Sequence, residues 1–282
     1  MKKYVLAMAA WLLTGLSMAQ TDTVRNDKPD TLRIGSMTII RKRGNDNDSA
    51  WKRFQVWDRK HHRKRKVETS YLIMDFGFSN FNDQTAYASA DAQNYARATR
   101  PGEPAFAESD FNLRNAKSTN FSLWFFMQRL HLIKRVVNLK YGLGIETNNY
   151  RFQNRISFKD QPQPYVFRDS ITFSKNKLAL DYLTVPFMVN INTGPRKDNP
   201  LAFSFGVSAG YLYSSRNKQI SGERGKQKNR GNYDVEKFKL SYIGEVGMGP
   251  VKLYGSYSPK SVFERGLDMR PFNLGIRIGG WD

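Results

Sequence analysis

The chain has no cysteine in 282 residues and only three histidines, His61, His62 and His131. The first absence excludes disulfides, thiolate metal sites, a cysteine nucleophile and a lipid-anchored cysteine at a mature N-terminus. The second leaves little for imidazole-based metal or acid–base chemistry, and no cofactor is expected. Negative charge is also scarce: 25 Asp+Glu stand against 45 Lys+Arg, a formal net charge of +20 with a pI near 10.0. Past the N-terminus no segment approaches 18 uninterrupted apolar residues, so no transmembrane helix is expected in the mature chain. A membrane form would then have to be a closed barrel, because only helices and closed barrels satisfy their backbone groups in lipid. A mean hydropathy of −0.61 is compatible with that, since a barrel strand shows lipid only every second residue.

What is present begins with an export pattern. Lys2 and Lys3 precede the apolar run Val5–Leu13, and Ser17-Met18-Ala19 places small residues at the −3 and −1 positions of a cleavage site. The nine residues of that run, at about 1.5 Å each, are too short to anchor in a core of about 30 Å. Residues 1–19 therefore read as a signal peptide removed after Ala19.

From Ser70 onward the chain alternates with period two, and the body (70–282) reads as all-β: an eight-stranded antiparallel transmembrane barrel. The clearest strands are Val137–Thr147, Leu201–Tyr213 and Phe272–Gly280, with Leu139, Tyr141, Leu143, Phe203, Phe205, Leu274 and Ile276 facing lipid. Five weaker strands are expected near Tyr71–Phe78, Asn120–Gln128 (Phe121, Leu123, Phe125 and Met127 outward), Tyr182–Ile191, Phe238–Met248 and Val251–Ser258. Leu178 and Leu180 suggest a bulge or a late start in the fourth strand. A water-soluble sandwich would carry charge on its outer face; here the non-apolar face is mostly Gly, Ser and Asn, suited to a narrow filled lumen. Tyr71, Tyr150, Tyr211, Tyr213, Tyr257 and Trp281 sit near strand ends, as an interfacial girdle would. Short connections alternate with long ones, and the short ones are expected to be periplasmic, which puts both barrel ends in the periplasm.

The stretches Trp124–Leu130, Val136–Gly144, Leu183-Thr184-Val185-Pro186-Phe187 and Asp268–Ile276 resemble the PorT-like outer-membrane β-barrel proteins of Bacteroidota. The similarity covers about residues 70–282 and rests on strand motifs. It implies an outer-membrane barrel of a Gram-negative cell envelope, and a link to protein export by type IX secretion.

Residues 20–69 read as a basic periplasmic segment. Thr31–Ile40 suggests a hairpin turning at Gly35-Ser36, and Gly44–Ser49 a polar linker. Trp51–Lys66 carries the cations Lys52, Arg53, Arg59, Lys60, Arg63, Lys64, Arg65 and Lys66 against the single acid Asp58, with Trp51, Phe54 and Trp57 at spacing three. On an amphipathic helix this would lie on anionic lipid headgroups or dock a periplasmic protein; the competing reading is a solvated tether. An exported chain is not expected to meet nucleic acid.

Seven charges project to the expected lumen: Asp75, Lys140, Glu146, Lys239, Glu245, Lys252 and Arg277. Buried charges need partners, so these are expected to form a plug of ion pairs, with Lys140 paired to Glu146 or Asp75. His131 is expected on a periplasmic turn among cations, which gives no orienting carboxylate for catalysis. The readings carried forward are a noncatalytic structural or interaction protein, an export accessory, and a small channel.

Overall fold

The computed structural model describes residues 30–34, 37–41, 55–58, 66–194 and 201–280. The chain divides after Lys64 into two units. In the first, β1 (Asp30–Ile34) runs antiparallel to β2 (Met37–Arg41), with Ile34 opposite Met37, and β3 (Gln55–Asp58) pairs with β2. The amphipathic helix expected across Trp51–Lys66 is therefore corrected at Gln55–Asp58, which is extended. Val and Trp favour a pleated surface, and pairing to an open strand edge outweighs an imperfect helical spacing. The signal peptide, Gly35-Ser36, the polar linker, His61, His62, Trp281 and all the basic segment except Gln55–Asp58 and Lys66 lie outside the described residues.

The second unit opens with β4 (Val67–Asp83), a short helix α1 (Ala90–Tyr95) and β5 (Ala96–Arg97). There follow β6 (Thr119–Ile133), β7 (Val137–Arg151), β8 (Ile156–Lys159), β9 (Tyr165–Arg168), β10 (Lys175–Asn192), β11 (Leu201–Ser221), β12 (Gly225–Arg230), β13 (Phe238–Met248), β14 (Val251–Tyr257) and β15 (Met269–Ile278). Eight of these form an antiparallel meander in chain order: β4, β6, β7, β10, β11, β13, β14 and β15. β15 then pairs back onto β4, with Arg277 opposite Asp75, and closes the sheet.

Two-residue alternation fixes which face is which. Along β7 every even residue from Asn138 to Tyr150 is buried and every odd one is partly open. Leu183, Val185 and Phe187 on β10, Phe203 and Phe205 on β11, and Leu274 and Ile276 on β15 all point outward. A barrel apolar outside and polar inside is the reverse of a water-soluble one. Bulky inward side chains sit where glycine makes room. A Cβ on Gly144 would lie 2.7 Å from the Trp124 ring, and one on Gly142 would lie 3.0 Å from Met127 Cγ.

Met127 itself is a correction: it faces inward and is buried. The β6–β7 register slips between Trp124 and Phe126, and this bulge turns the side chains from Phe126 to His131 to the opposite phase, until a second slip between His131 and Ile133. The bulge expected near the start of β10 is displaced too. β10 keeps one phase from Asn176 to Asn192, with Leu178 and Leu180 buried inward. The extra residue is Tyr213 on β11, where the register with β10 shifts between Asp181 and Tyr182. Tyr71, Tyr211 and Tyr213 are exposed on the outside, but Tyr150 leaves the expected girdle: it is fully buried and stacked on Phe81.

The connections 134–136 and 249–250, the end of β10 and the start of β11 share one rim with the start of β4 and the end of β15. Lys134 and Arg135 both take positive φ (45° and 62°), the conformation a tight hairpin between right-twisted strands requires. The connections 84–118, 152–174, 222–237 and 258–268 share the other rim. They fold into a cap with its own apolar core, which includes Phe106, Phe111, Phe152, Phe158, Tyr233 and Phe263.

Candidate functional site

The seven lumen charges come from strands spread round the whole barrel, and all are buried. Their even spacing within each strand places them inward; the register then decides who meets whom. Arg277 is the hub. Its Nε and Nη2 donate to the two Asp75 oxygens at 2.7 and 2.8 Å, and its Nη1 donates to Glu245 Oε2 at 2.6 Å. Asp75 also accepts from Trp124 Nε1 at 2.7 Å. The guanidinium lies 5.1 Å from the Trp124 ring and 5.8 Å from the Tyr254 ring, so aromatic faces share the cation.

Lys140 donates to Glu245, and Ser204 Oγ donates to the same oxygen at 2.7 Å. The partner expected for Lys140, Glu146 or Asp75, is thus corrected to Glu245. Strand tilt brings residues of β7 and β13 together across the lumen, and spacing along the sequence does not reveal such a contact. Glu146 instead accepts from Lys239, and from the side-chain amides of Asn148 at 3.0 Å and Asn273 at 3.2 Å. Lys239 also lies 4.6 Å from the Tyr182 ring. Lys252 donates to the Gly280 carbonyl at 3.3 Å. The sequence reading missed the neutral partners Trp124, Ser204, Asn148 and Asn273. Their signal was available, as inward parity on the same strands. Between Asp75, Trp124, Glu146, Glu245 and Arg277 lies a cavity of about 30 Å³, room for a water.

At the short-turn rim His131 is on β6 and not on a turn, and a carboxylate does face it. His131 Nε2 lies 3.0 Å from Glu68 Oε1, although the angle falls short of a hydrogen bond, and Nδ1 is 2.6 Å from Asn138 Oδ1. This corrects the expectation of cations alone. Glu68 lies at the far end of the chain segment and pairs across β4 and β6, which sequence proximity could not reveal. The same carboxylate holds Arg129 and sits 4.0 Å from Arg135. Shared between two guanidinium groups and the His131 ring, it serves as a counter-ion and not as a free general base.

The opposite rim is sealed by the cap. Arg168 organises it: the guanidinium donates to Asp110 at 2.9 and 2.7 Å and to the carbonyls of Pro104 and Ala105 at 2.8 and 3.1 Å. It also lies 4.1 Å from the Phe106 ring. For Asp110, burial pushes the carboxyl up, but the Arg168 hydrogen bonds, the Ala107 amide and the Arg168 charge together hold it below its ordinary range. Asp169 is lowered in the same way: burial opposes, while the Ile171 amide, Ser157 and Arg224 prevail. Tyr95 Oη donates to the Tyr233 carbonyl at 2.5 Å, tying two connections that are 138 residues apart.

A closed eight-stranded meander with an apolar belt outside, a charge-filled lumen and long connections on one rim defines a transmembrane β-barrel of the outer membrane. The chain belongs to the outer membrane protein beta-barrel domain family, whose model matches residues 76–263. No curated protein matches it. Among solved structures it is similar to Ail, the attachment invasion locus protein of Yersinia pestis, at 12% identity over 75% of this chain and 98% of that one, with a TM-score of 0.31. It is also similar to Neisserial surface protein A, at 9% identity over 76% and 99%, with a TM-score of 0.29. Scores this low add no argument to the one the sheet supplies.

Proposed function

We propose that the protein is a noncatalytic outer-membrane barrel that acts as a rigid interaction scaffold. Its working surfaces are the folded cap of long connections on the cell exterior and the basic segment Trp51–Lys66 on the periplasmic side, which meets anionic headgroups or an acidic periplasmic partner. Export through the 1–19 signal and periplasmic placement of the N-terminal unit belong to this reading. The observation that carries it is the double closure of the barrel, by the Arg277-centred ion network within and by the apolar cap above. Among the described residues the lumen holds cavities of about 20 and 30 Å³ and its carboxylates are engaged by cations, which supports leaving recognition to the surfaces. The scaffold reading therefore expects no steady conductance from purified protein in planar bilayers, and a reproducible open-channel current would overturn it in favour of a small channel.

The second reading is an accessory role in protein export. Its support is the resemblance of Leu183–Phe187 and Asp268–Ile276 to PorT-like strands. A deletion strain separates the two: loss of secreted type IX cargo favours the export role, and intact secretion with altered surface binding favours the scaffold.

A further inference from the structure

Beyond the lipid belt, β7, β10, β11 and β12 continue as a four-stranded extension of the barrel wall. Over β10 and β11 its inward face is occupied by the cap: Gln219 Nε2 donates to Ser157 Oγ at 2.7 Å, and Leu178 and Leu180 join the apolar core. Its outward face is different. Arg151 lies directly opposite Lys177, Lys177 opposite Lys218, and Lys218 opposite Lys228. One row of direct cross-strand neighbours is thus cationic over all four strands. On either side of it, Arg216 lies opposite Arg230, and Lys226 and Lys175 both lie opposite Ile220. Residues directly opposite in an antiparallel pair share a face, so eight cations share this one.

Little compensates them. Asp181 is the carboxylate on this face of the four strands, and it is engaged by Arg216 and by Thr147 Oγ1. Glu223 stands apart at the β11–β12 turn. Among the described residues Lys175, Lys218, Lys226, Lys228 and Arg230 have no ion-pair partner. Crowding shows in Lys177: burial and then the charges of Lys175, Lys218 and Arg216 push its ammonium down to about 8. Like charges directly opposite in a sheet are destabilising, so the arrangement costs stability unless an anion lies across it.

The face is continuous with the lipid-facing stripe. On β10 the outward series runs Phe187, Val185, Leu183, Asp181, Ala179, Lys177, Lys175. On β11 Arg216 follows three residues beyond the exposed Tyr213, about 10 Å along the strand. Flexible Lys and Arg stems bend back toward a headgroup layer at that height. We propose that the outward face of this extension binds the phosphate groups of anionic lipids in the leaflet around the cap rim. Under the proposed orientation, on which this assignment rests, that is the outer leaflet.

The test uses the full chain in neutral detergent, titrated with a bisphosphorylated glycolipid and with phosphatidylcholine and followed by native mass spectrometry. The wild type should prefer the glycolipid, and salt should weaken that preference. Substituting Lys177→Gln, Lys218→Gln and Lys228→Gln together should weaken it by about five-fold per cation, on the order of a hundredfold in all. The same variant should resist urea at least as well as the wild type, because cross-strand repulsion is relieved. Unchanged glycolipid affinity in the triple variant would overturn the proposal. Arg63→Gln, Lys64→Gln and Arg65→Gln form the comparison set. If these alone abolish binding, the lipid contact belongs to the N-terminal segment, and the sheet assignment falls while the reading of that segment stands. If dextran sulfate binds more tightly than the glycolipid and the sheet variant removes that binding, the face serves a soluble polyanion and the lipid assignment is likewise overturned.

Discussion

The lumen and the cap are both buried, yet they are filled with opposite materials. The lumen holds Asp75, Lys140, Glu146, Lys239, Glu245, Lys252 and Arg277 among asparagines and serines. The cap holds phenylalanines and tyrosines in contact, such as Phe158 with Phe152, Tyr233 and Phe263. The difference follows from what each interior has on its other side. The barrel strands already spend one face on lipid, and an apolar second face would leave nothing to tell a strand which side is which. A slip of one residue would then cost little. A charged inner face makes every slip expensive, since it would push Arg277 or Glu245 into lipid. The cap connections have water outside, and an ordinary apolar core suffices for them.

The largest expected effect tests the lumen. Arg277→Ala strips partners from Asp75 and Glu245 at once and should cost about 3–5 kcal/mol in urea unfolding. Arg277→Lys should cost less but not nothing, because a point charge cannot span Asp75 bidentately. If Arg277→Ala unfolds like the wild type, the network is decoration and the comparison fails. Next in size, Phe158→Ala should cost the cap about 3–4 kcal/mol by leaving a cavity against Phe152, Tyr233 and Phe263. The loss should be local: hydrogen exchange should rise through 84–118 and 152–174 while barrel amides stay protected. A loss shared equally by the barrel would show that the two interiors are one cooperative unit.

The smallest effect is acid loosening of the cap. Asp110 and Asp169 have folded values below their unfolded ones, so their stabilisation is complete above the ordinary carboxylate range and is lost as pH falls through the folded values. Limited proteolysis of the cap should accelerate on going from pH 7 to below about pH 3, with barrel fragments intact. Equal cleavage at both values would argue that the apolar core alone holds the cap.

The eight strands and their two faces were legible because lipid and lumen impose opposite chemistry on alternate residues, as at Val137–Glu146. The lumen charges were legible for the same reason. Where alternation ends, so did the reading. Trp124-Phe125-Phe126-Met127 is apolar throughout and hides the bulge that turns Met127 inward. Lys175–Lys177 and Arg216–Ser221 alternate cations with polar or apolar residues and fall outside the strands expected from the alternation, although they continue the sheet. The cap aromatics come from four separate connections and have no common period. Pairing between strands, Lys140 with Glu245 across the lumen and Glu68 with His131 between the neighbours β4 and β6, depends on strand order, register and tilt, which no local spacing encodes.

The closing seam has a consequence for assembly. Asp75 and Arg277 stand opposite each other across it, joined by hydrogen bonds between residues 202 apart in sequence. A nascent chain that has emerged as far as β14 carries two open strand edges, with Asp75 still waiting for its arginine. Such an intermediate is poorly suited to enter lipid, for unpaired edges and unpaired charges are both costly there. Loop closure over so long a separation is slow. Barrel closure thus depends on this ten-residue strand: without Met269–Ile278 the edge of β4 stays open and Asp75 lacks its guanidinium, and both are costly in lipid.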